Sequence, residues 1–359
     1  MTEPRPRTAT AAFLVAQREP LVVDEVTLPE ALAPGQVLVR LAWSGICGSQ
    51  LGEIDGAKGP DRFLPHLLGH EGSGRVVEIG PGVRHVKPGD HVVLHWMKGP
   101  GIDAEPARYG WRGQQLNAGW VTTFNTWAVV SENRVTAIPD GVDGRVAALL
   151  GCAVTTGMGA VVNDAQVRPG DAVVILGAGG VGLNMIQGAA LAGAHPVVGV
   201  DLHPSRLALA ARLGATHTVA SAGLAPEALE ATLRAALGGR GADVVIDNTG
   251  LPALIAIAYR LTHAQGRVVL VGVPRAEAAT TLHTLPLHFG KVLTGSHGGG
   301  TQPGEDIPRY LRLAAAGKLV LEPLVTDVFP LSQVNQAIAA LRSGAVAGRC
   351  LIDLRTEAP

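Results

Sequence analysis

The sequence predicts an α/β chain in two parts: a small β-barrel, then a parallel sheet with helices on both faces. Three observations carry this. Before about residue 155, short apolar and β-branched runs alternate with turn dipeptides such as Pro34-Gly35, Pro81-Gly82 and Pro88-Gly89. After residue 170, near-continuous apolar strands alternate with helical stretches, the pattern of βα units in a sheet buried on both sides. A length of 359 residues accommodates about two domains.

In the first part, Ala11 to Ala16 reads as the opening strand, followed by Val37 to Leu41, Arg75 to Ile79, His91 to Leu94 and Thr126 to Val130. In the second part, strands are expected at Asp171 to Leu176, Val197 to Asp201, Asp243 to Asp247, Arg267 to Val273 and Val292 to Ser296. Helices are expected at Val181 to Ala192, at Pro204 to Leu213 with proline in its first turn, and over 225–237. From about residue 300 a helix, Ile307 to Ala316, and a last strand, Arg349 to Leu354, leave the alternation and are expected to return to the first domain.

Composition narrows the function. Hydrophobic residues make up 47% and charged residues 16%, enough to bury a sizeable core. A net charge of -1 argues against a nucleic-acid partner, which needs a basic surface. No apolar run approaches the ~18 residues of a membrane span, and Ala11 to Ala16 is too short for a signal-peptide core. The three cysteines, Cys47, Cys152 and Cys350, do not form a disulfide framework, and a reducing cytoplasm is expected. With no Cys-x-x-Cys pair, a four-cysteine structural zinc site is excluded.

The most informative stretch is Gly177-Ala-Gly-Gly-Val-Gly182, set between an expected strand and an expected helix. Gly177 allows a tight turn, Gly179 lets backbone approach a pyrophosphate, and Gly182 lets helix and strand pack closely. The N–H groups of Gly180 and Val181 then lie at a helix N-terminus that favours an anion. In a chain with 47 glycines the spacing alone is weak. Asp201 strengthens it, because it ends the next strand 24 residues after Gly177. A carboxylate there accepts ribose hydroxyls and repels a 2′-phosphate, which favours NAD over NADP. Arg206 opposes this, since arginine also suits a 2′-phosphate. With Asp201 ahead of it, Arg206 is expected beside the adenosine.

A second set of residues is ambiguous on spacing. Cys47, His70 and Cys152 offer two thiolates and an imidazole, which together would leave a fourth zinc position open for catalysis. They are separated by 23 and 82 residues, so on spacing alone each cysteine reads more readily as a small buried hydrophobe and the histidine as structural. Context resolves this. Gly45-Ile-Cys-Gly-Ser49, Gly69-His-Glu-Gly72, Lys87-Pro-Gly-Asp90, Gly151-Cys152 with its Thr-Thr-Gly157, and the turn at Gly177 occur in that order. The combination resembles the medium-chain, zinc-dependent alcohol dehydrogenase family, including its formaldehyde and polyol dehydrogenase branches, over nearly the whole chain.

The resemblance implies a GroES-like β-barrel catalytic domain over 1–154 and 298–359 and a Rossmann doubly wound sheet over 155–297, with the active site in the cleft between them. It implies one catalytic zinc per chain, held by Cys47, His70 and Cys152. Glu71 matches an acid beside the metal, with a charged residue satisfied by a nearby arginine as the alternative; Ser49 matches the hydroxyl that passes on the substrate proton, and Thr156 a residue beside the nicotinamide. Val271, Gly272 and Val273 match a strand end lining the nicotinamide pocket. Arg349 matches a basic residue near the cofactor phosphates, with a solvated surface arginine as the alternative. The implied reaction moves a hydride between an alcohol, polyol or sugar alcohol (or the matching carbonyl) and NAD, zinc activating the alcohol oxygen. A homodimer or homotetramer is implied by resemblance alone.

The chain departs from the family in three places. Gln50 stands where the family often carries aspartate, which predicts a more electropositive metal. Gly52 occupies the place of the usual relay histidine. Segment 95–127 lacks cysteine but holds Trp96, Trp111, Trp120 and Trp127, which are expected to pack as an aromatic staple instead, with cleft lining by Trp96, Tyr109 or Trp111 as the alternative. His95 and His297 are expected as polar surface or as support for the site. The competing readings are a zinc-free NADPH quinone or enoyl reductase of the same fold and a non-catalytic dinucleotide-binding protein.

Overall fold

Strand Gln36–Ile46 divides two cores, because side chains alternate across a strand. Val37, Val39 and Leu41 enter one cluster with Leu14, Val92 and Phe124. Leu38 enters the other, with Phe13, Tyr109 and Trp127. The computed structural model describes residues 5–355 and divides into two units, the first formed by residues 5–152, 302–312 and 321–355. In this unit Thr8–Leu14, Val22–Thr27, Arg108–Trp111, Gln114–Asn117 and His66–Leu67 close a barrel. Beside it lies a seven-stranded sheet in the order Val135–Ile138, His91–Leu94, Gly72–Ile79, Gln36–Ile46, Arg349–Asp353, Val325–Pro330, with Trp127–Ser131 also paired to Gln36–Ile46. The last strand thus returns to the first unit, with Cys350 opposite Ile46.

The second unit holds residues 153–301 and 313–320. Its six strands are all parallel, in the order His217–Ala220, Val197–Asp201, Val173–Leu176, Ala242–Asp247, Thr262–Leu270, Val292–Gly295. That order reverses direction beside Val173–Leu176, the switch point at which such sheets bind dinucleotides. Helix Gly180–Leu191 follows the glycine turn. Strand His217–Ala220 and helices Pro252–Leu261 and Val334–Ser343 are additions to the sequence-based expectation. The fifth strand ends at Leu270 rather than Val273, because the N–H groups of Val271 and Gly272 both donate to the Asp247 carbonyl and turn the chain.

The expected tryptophan staple holds only in part. Trp111 packs edge-on to Phe13 at 4.8 Å, donates to Asp24 and joins Trp127 in the core. Trp120 is 48% exposed, and Trp96 lies half-buried beside His70. Segment 95–104 is held instead by the polar run Ser131 to Arg134. The Ser131 hydroxyl accepts from the Ala104 N–H, Asn133 donates to Asp103, and Arg134 donates to the Trp96 carbonyl. Glu132, 1% exposed, accepts the N–H groups of Arg84, His85 and Ile102 at 2.6–2.9 Å and the His85 imidazole at 3.0 Å. Burial pushes its carboxyl up, but these donors override it and hold the group at about 2, against an ordinary 4.5.

A depressed carboxyl stabilises the fold above its unfolded value and loses that contribution as pH falls toward the folded value. Glu132 should therefore contribute about 3 kcal/mol at neutral pH, fading between about pH 4.5 and 2. Urea unfolding of Glu132→Gln should show this loss at pH 7 and a smaller one at pH 4. Equal losses at both would contradict the assignment.

Candidate functional site

Three turns in the first unit bring Cys47, His70 and Cys152 together. Cys47 follows strand Gln36–Ile46 and caps the short helix Gly48–Ile54. His70 follows Gly69, whose φ of +87° and packing against Thr123 and Phe124 leave no space for a side chain. Cys152 lies just beyond helix Gly144–Leu149. One ligand atom from each of the three residues lies within 4.8 Å of the other two. Among the described residues this is the one such cluster of histidine, cysteine and acidic groups.

The cluster has the chemistry of a zinc site. Two sulfurs and an imidazole suit zinc, and a thiolate is the form that binds it. The Cys47 thiol is held well below its ordinary range, first by a hydrogen bond from Cys152 and, against burial, by His70 and the Arg349 charge. His70 Nε2 is buried with no hydrogen-bond partner, while Nδ1 meets Gln50. Trp96 stacks edge-on to the His70 ring at 6.5 Å.

Glu71 sits beside the cluster, fully buried, in an ion pair with Arg349. Gly45 and Gly151 make the space, since a Cβ on either would overlap Glu71. Arg349 is 5% exposed, so the solvated-surface alternative for it is corrected: it starts the strand whose next residue, Cys350, lies opposite Ile46, and its side chain is buried against Glu71. Ser49 is exposed on the first turn of helix Gly48–Ile54.

The second unit carries the phosphate-type turn. Gly177 adopts φ +91°, and a Cβ on Gly182 would overlap the Gly177 carbonyl. A Cβ on Gly179 would meet nothing within 4 Å, so the backbone there faces open space, as a pyrophosphate cradle requires. Asp201 is 7% exposed; its Oδ2 accepts from the Ala178 N–H at 2.9 Å and its Oδ1 from the His203 N–H at 3.0 Å. Arg206 lies 3.7 Å from Asp201. Thr156 is buried on helix Ala153–Gly159, its hydroxyl without a hydrogen-bond partner.

One feature escaped sequence reasoning. Asp247, fully buried, accepts from Thr249 and from the Gly250 N–H and so shapes the wall facing Gly177. Its signal was a second acid ending a neighbouring parallel strand, as Asp201 does. The Glu71–Arg349 pair meets the alternative expectation of an acid satisfied by a nearby arginine, and strand register decides which arginine that is. His95 is corrected from polar surface: it is 1% exposed, bonded to the Met97 carbonyl and the Thr136 hydroxyl, and burial pushes it down to about 4. His297 is exposed, as expected.

Removing one partner of a buried ion pair leaves an uncompensated charge. Arg349→Met should cost roughly 3–5 kcal/mol in urea unfolding, and adding Glu71→Gln should restore part of that. A loss unchanged by the second substitution would show that Arg349 acts elsewhere.

Comparison with known proteins agrees with this geometry. Residues 33–140 match the alcohol dehydrogenase GroES-like domain family, and residues 180–316 the zinc-binding dehydrogenase family. The chain is 32% identical to alcohol dehydrogenase class-3 of Cereibacter sphaeroides, covering 93% of this chain and 96% of that protein. It is 31% identical to S-(hydroxymethyl)glutathione dehydrogenase of Paracoccus denitrificans, covering 94% and 97%. The solved structure of an alcohol dehydrogenase zinc-binding domain protein from Burkholderia ambifaria is similar with a TM-score of 0.87 and 30% identity, over 97% of this chain and 99% of that one. With its Cys/His/Cys cluster, its GroES-like barrel and its parallel dinucleotide-type sheet, the chain belongs to the medium-chain zinc-dependent dehydrogenase family and is an oxidoreductase of the zinc alcohol dehydrogenase type.

Proposed function

We propose that the chain moves a hydride between a small-molecule alcohol, polyol or sugar alcohol and NAD, with one catalytic zinc per chain held by Cys47, His70 and Cys152. The observation that carries this is the convergence of those three donors with a Cys47 thiol already biased toward thiolate. When bound, zinc supplies a Lewis acid for the alcohol oxygen and the nicotinamide a hydride acceptor. A zinc-free reductase would have no use for this convergence.

The remaining roles belong to the chain's own groups. Exposed Ser49, two residues past Cys47, is the hydroxyl that takes and passes on the substrate proton. Glu71 and Arg349 form a neutral pair beside the donors, so two thiolates and a divalent ion add no net buried charge. Because Arg349 is engaged by Glu71, a cofactor phosphate would share its charge. Thr156, Val271, Gly272 and Val273 are the residues for the nicotinamide.

The choice of NAD rests on Asp201. Two backbone N–H groups hold its carboxylate at the edge of the glycine turn, where a 2′-phosphate would meet negative charge. Arg206, close enough to be drawn to Asp201, is the residue for the adenosine. Leu285, Leu287 and Phe289, at 54%, 38% and 67% exposure, precede edge strand Val292–Gly295 and support a homodimer or homotetramer. Three free cysteines support a reducing, cytoplasmic setting, and no described helix is long and apolar enough to cross a membrane.

Metal analysis should find one zinc per chain, and Cys47→Ala should lose it and all turnover while still binding NAD. Two zinc ions per chain, or turnover without zinc, would overturn the reading. An NAD-reduction panel of primary alcohols, polyols and the hydroxymethyl adduct of glutathione identifies the substrate class. In the same assay kcat/KM should favour NAD over NADP, and Asp201→Ser should shrink that ratio by tenfold or more, about 1.4 kcal/mol. Equal use of both cofactors by the unaltered chain would refute the role of Asp201.

A further inference from the structure

Gln50 is 1% exposed and touches two of the site's residues at once. Its Oε1 accepts the Cys47 N–H at 2.9 Å, and its Nε2 lies 2.6 Å from His70 Nδ1. The orientation of the amide follows from chemistry. A backbone N–H is always a donor, so the atom facing Cys47 must be the oxygen, and the NH2 group therefore faces His70. A donor at Nδ1 requires a lone pair there, which puts the proton of a neutral imidazole on Nε2. That nitrogen is the one left for the metal cluster, and it serves as a ligand only without its proton.

We propose that Gln50 is a positioning residue that holds the metal-free site in a hydrogen-bonded state of its own and so weakens zinc binding. This rests on the zinc reading above. With the amide donating to Nδ1, the proton stays on Nε2, the ring nitrogen that Gln50 leaves to the cluster. Loading moves the proton to Nδ1, where it faces the amide NH2. The amide then has two inward donors, Cys47 N–H and His70 Nδ1–H, and one oxygen. If it turns, the NH2 meets the Cys47 N–H; if it stays, it meets Nδ1–H. A carboxylate at position 50 offers both donors an oxygen.

Two measurements test this without reading activity. In chelator competition, Gln50→Glu should bind Zn2+ roughly tenfold or more tightly than the unaltered chain, with Gln50→Asp, the shorter carboxylate, used if the glutamate variant does not fold. In 15N imidazole spectra of the zinc-free protein near pH 8, His70 should carry its proton on Nε2 in the unaltered chain and on Nδ1 in the carboxylate variant. A change in net charge alone would tighten the metal but leave the unaltered chain's proton on Nδ1. Affinities equal within twofold, or His70 protonated on Nδ1 in the zinc-free unaltered chain, overturn the assignment of Gln50 alone. An unaltered chain that takes up no zinc overturns the zinc reading as well.

Discussion

Burying the charge of Glu71 is the constraint on which the metal side of the molecule depends. A carboxylate removed from water is stable only against a partner, and the cation that answers it comes from position 349, 278 residues further along the chain. The pair therefore requires the last strand to lie antiparallel to Gln36–Ile46, with Cys350 opposite Ile46. It also requires glycine at 45 and 151, where any side chain would occupy the volume of Glu71. Gly45 lies two residues before Cys47 and Gly151 immediately precedes Cys152. The same close packing that admits the carboxylate thus delivers two of the three donors. The pair costs desolvation, and it ties the strand that begins at Arg349 to the residue that follows His70.

The segment that follows strand His91–Leu94 shows a different way of holding irregular chain. Residues 95–104 contain no regular structure, only bends, so their backbone groups need partners that no ladder supplies. Ser131, Glu132, Asn133 and Arg134 supply them from one short 3-10 turn and its cap, through buried side chains and through the Arg134 and Asn133 carbonyls, which accept the His95 and Gly99 N–H groups. Glu132 accepts the Ile102 N–H and, outside this segment, the N–H groups of Arg84 and His85. Polar satisfaction dominates here, and aromatic burial is secondary: Trp111 and Trp127 fill the core of the barrel, while Trp96 and Trp120 lie half-buried and exposed.

How much was legible in the sequence follows from the range of the forces involved. The dinucleotide turn could be read because its requirements are local and steric. Gly177 needs a left-handed φ and Gly182 must clear a carbonyl five residues away, so glycine at a short fixed spacing is a sufficient record. Strands Val197–Asp201 and His91–Leu94 were legible for the same reason, being continuous apolar runs that end at polar or turn residues. The metal donors were not legible from spacing, since 23 and 82 residues of barrel lie between them and only the motif context brought them together. The partner of Arg349 and the burial of His95 depend on register and on the Met97 and Thr136 contacts, which no periodicity encodes. Asp247 was passed over because its work, turning the chain with its own carboxylate, leaves no glycine pattern as specific as that of Gly177.

The two units therefore rely on different physics for their ligand chemistry. In the second, the candidate binding capacity lies in the backbone: N–H groups at the start of Gly180–Leu191, beside a Gly179 that faces open space and flanked by the Asp201 carboxylate. Such a site tolerates change in surrounding side chains so long as the glycines stay. In the first, it lies in side chains whose protons must be in the right place. Cys47 is biased toward thiolate by its neighbours, Glu71 is neutralised by Arg349, and His70 presents Nε2 with a tautomer set by whatever faces Nδ1. There, on the proposal made for Gln50, an amide rather than a carboxylate at that position decides which nitrogen of His70 holds a proton.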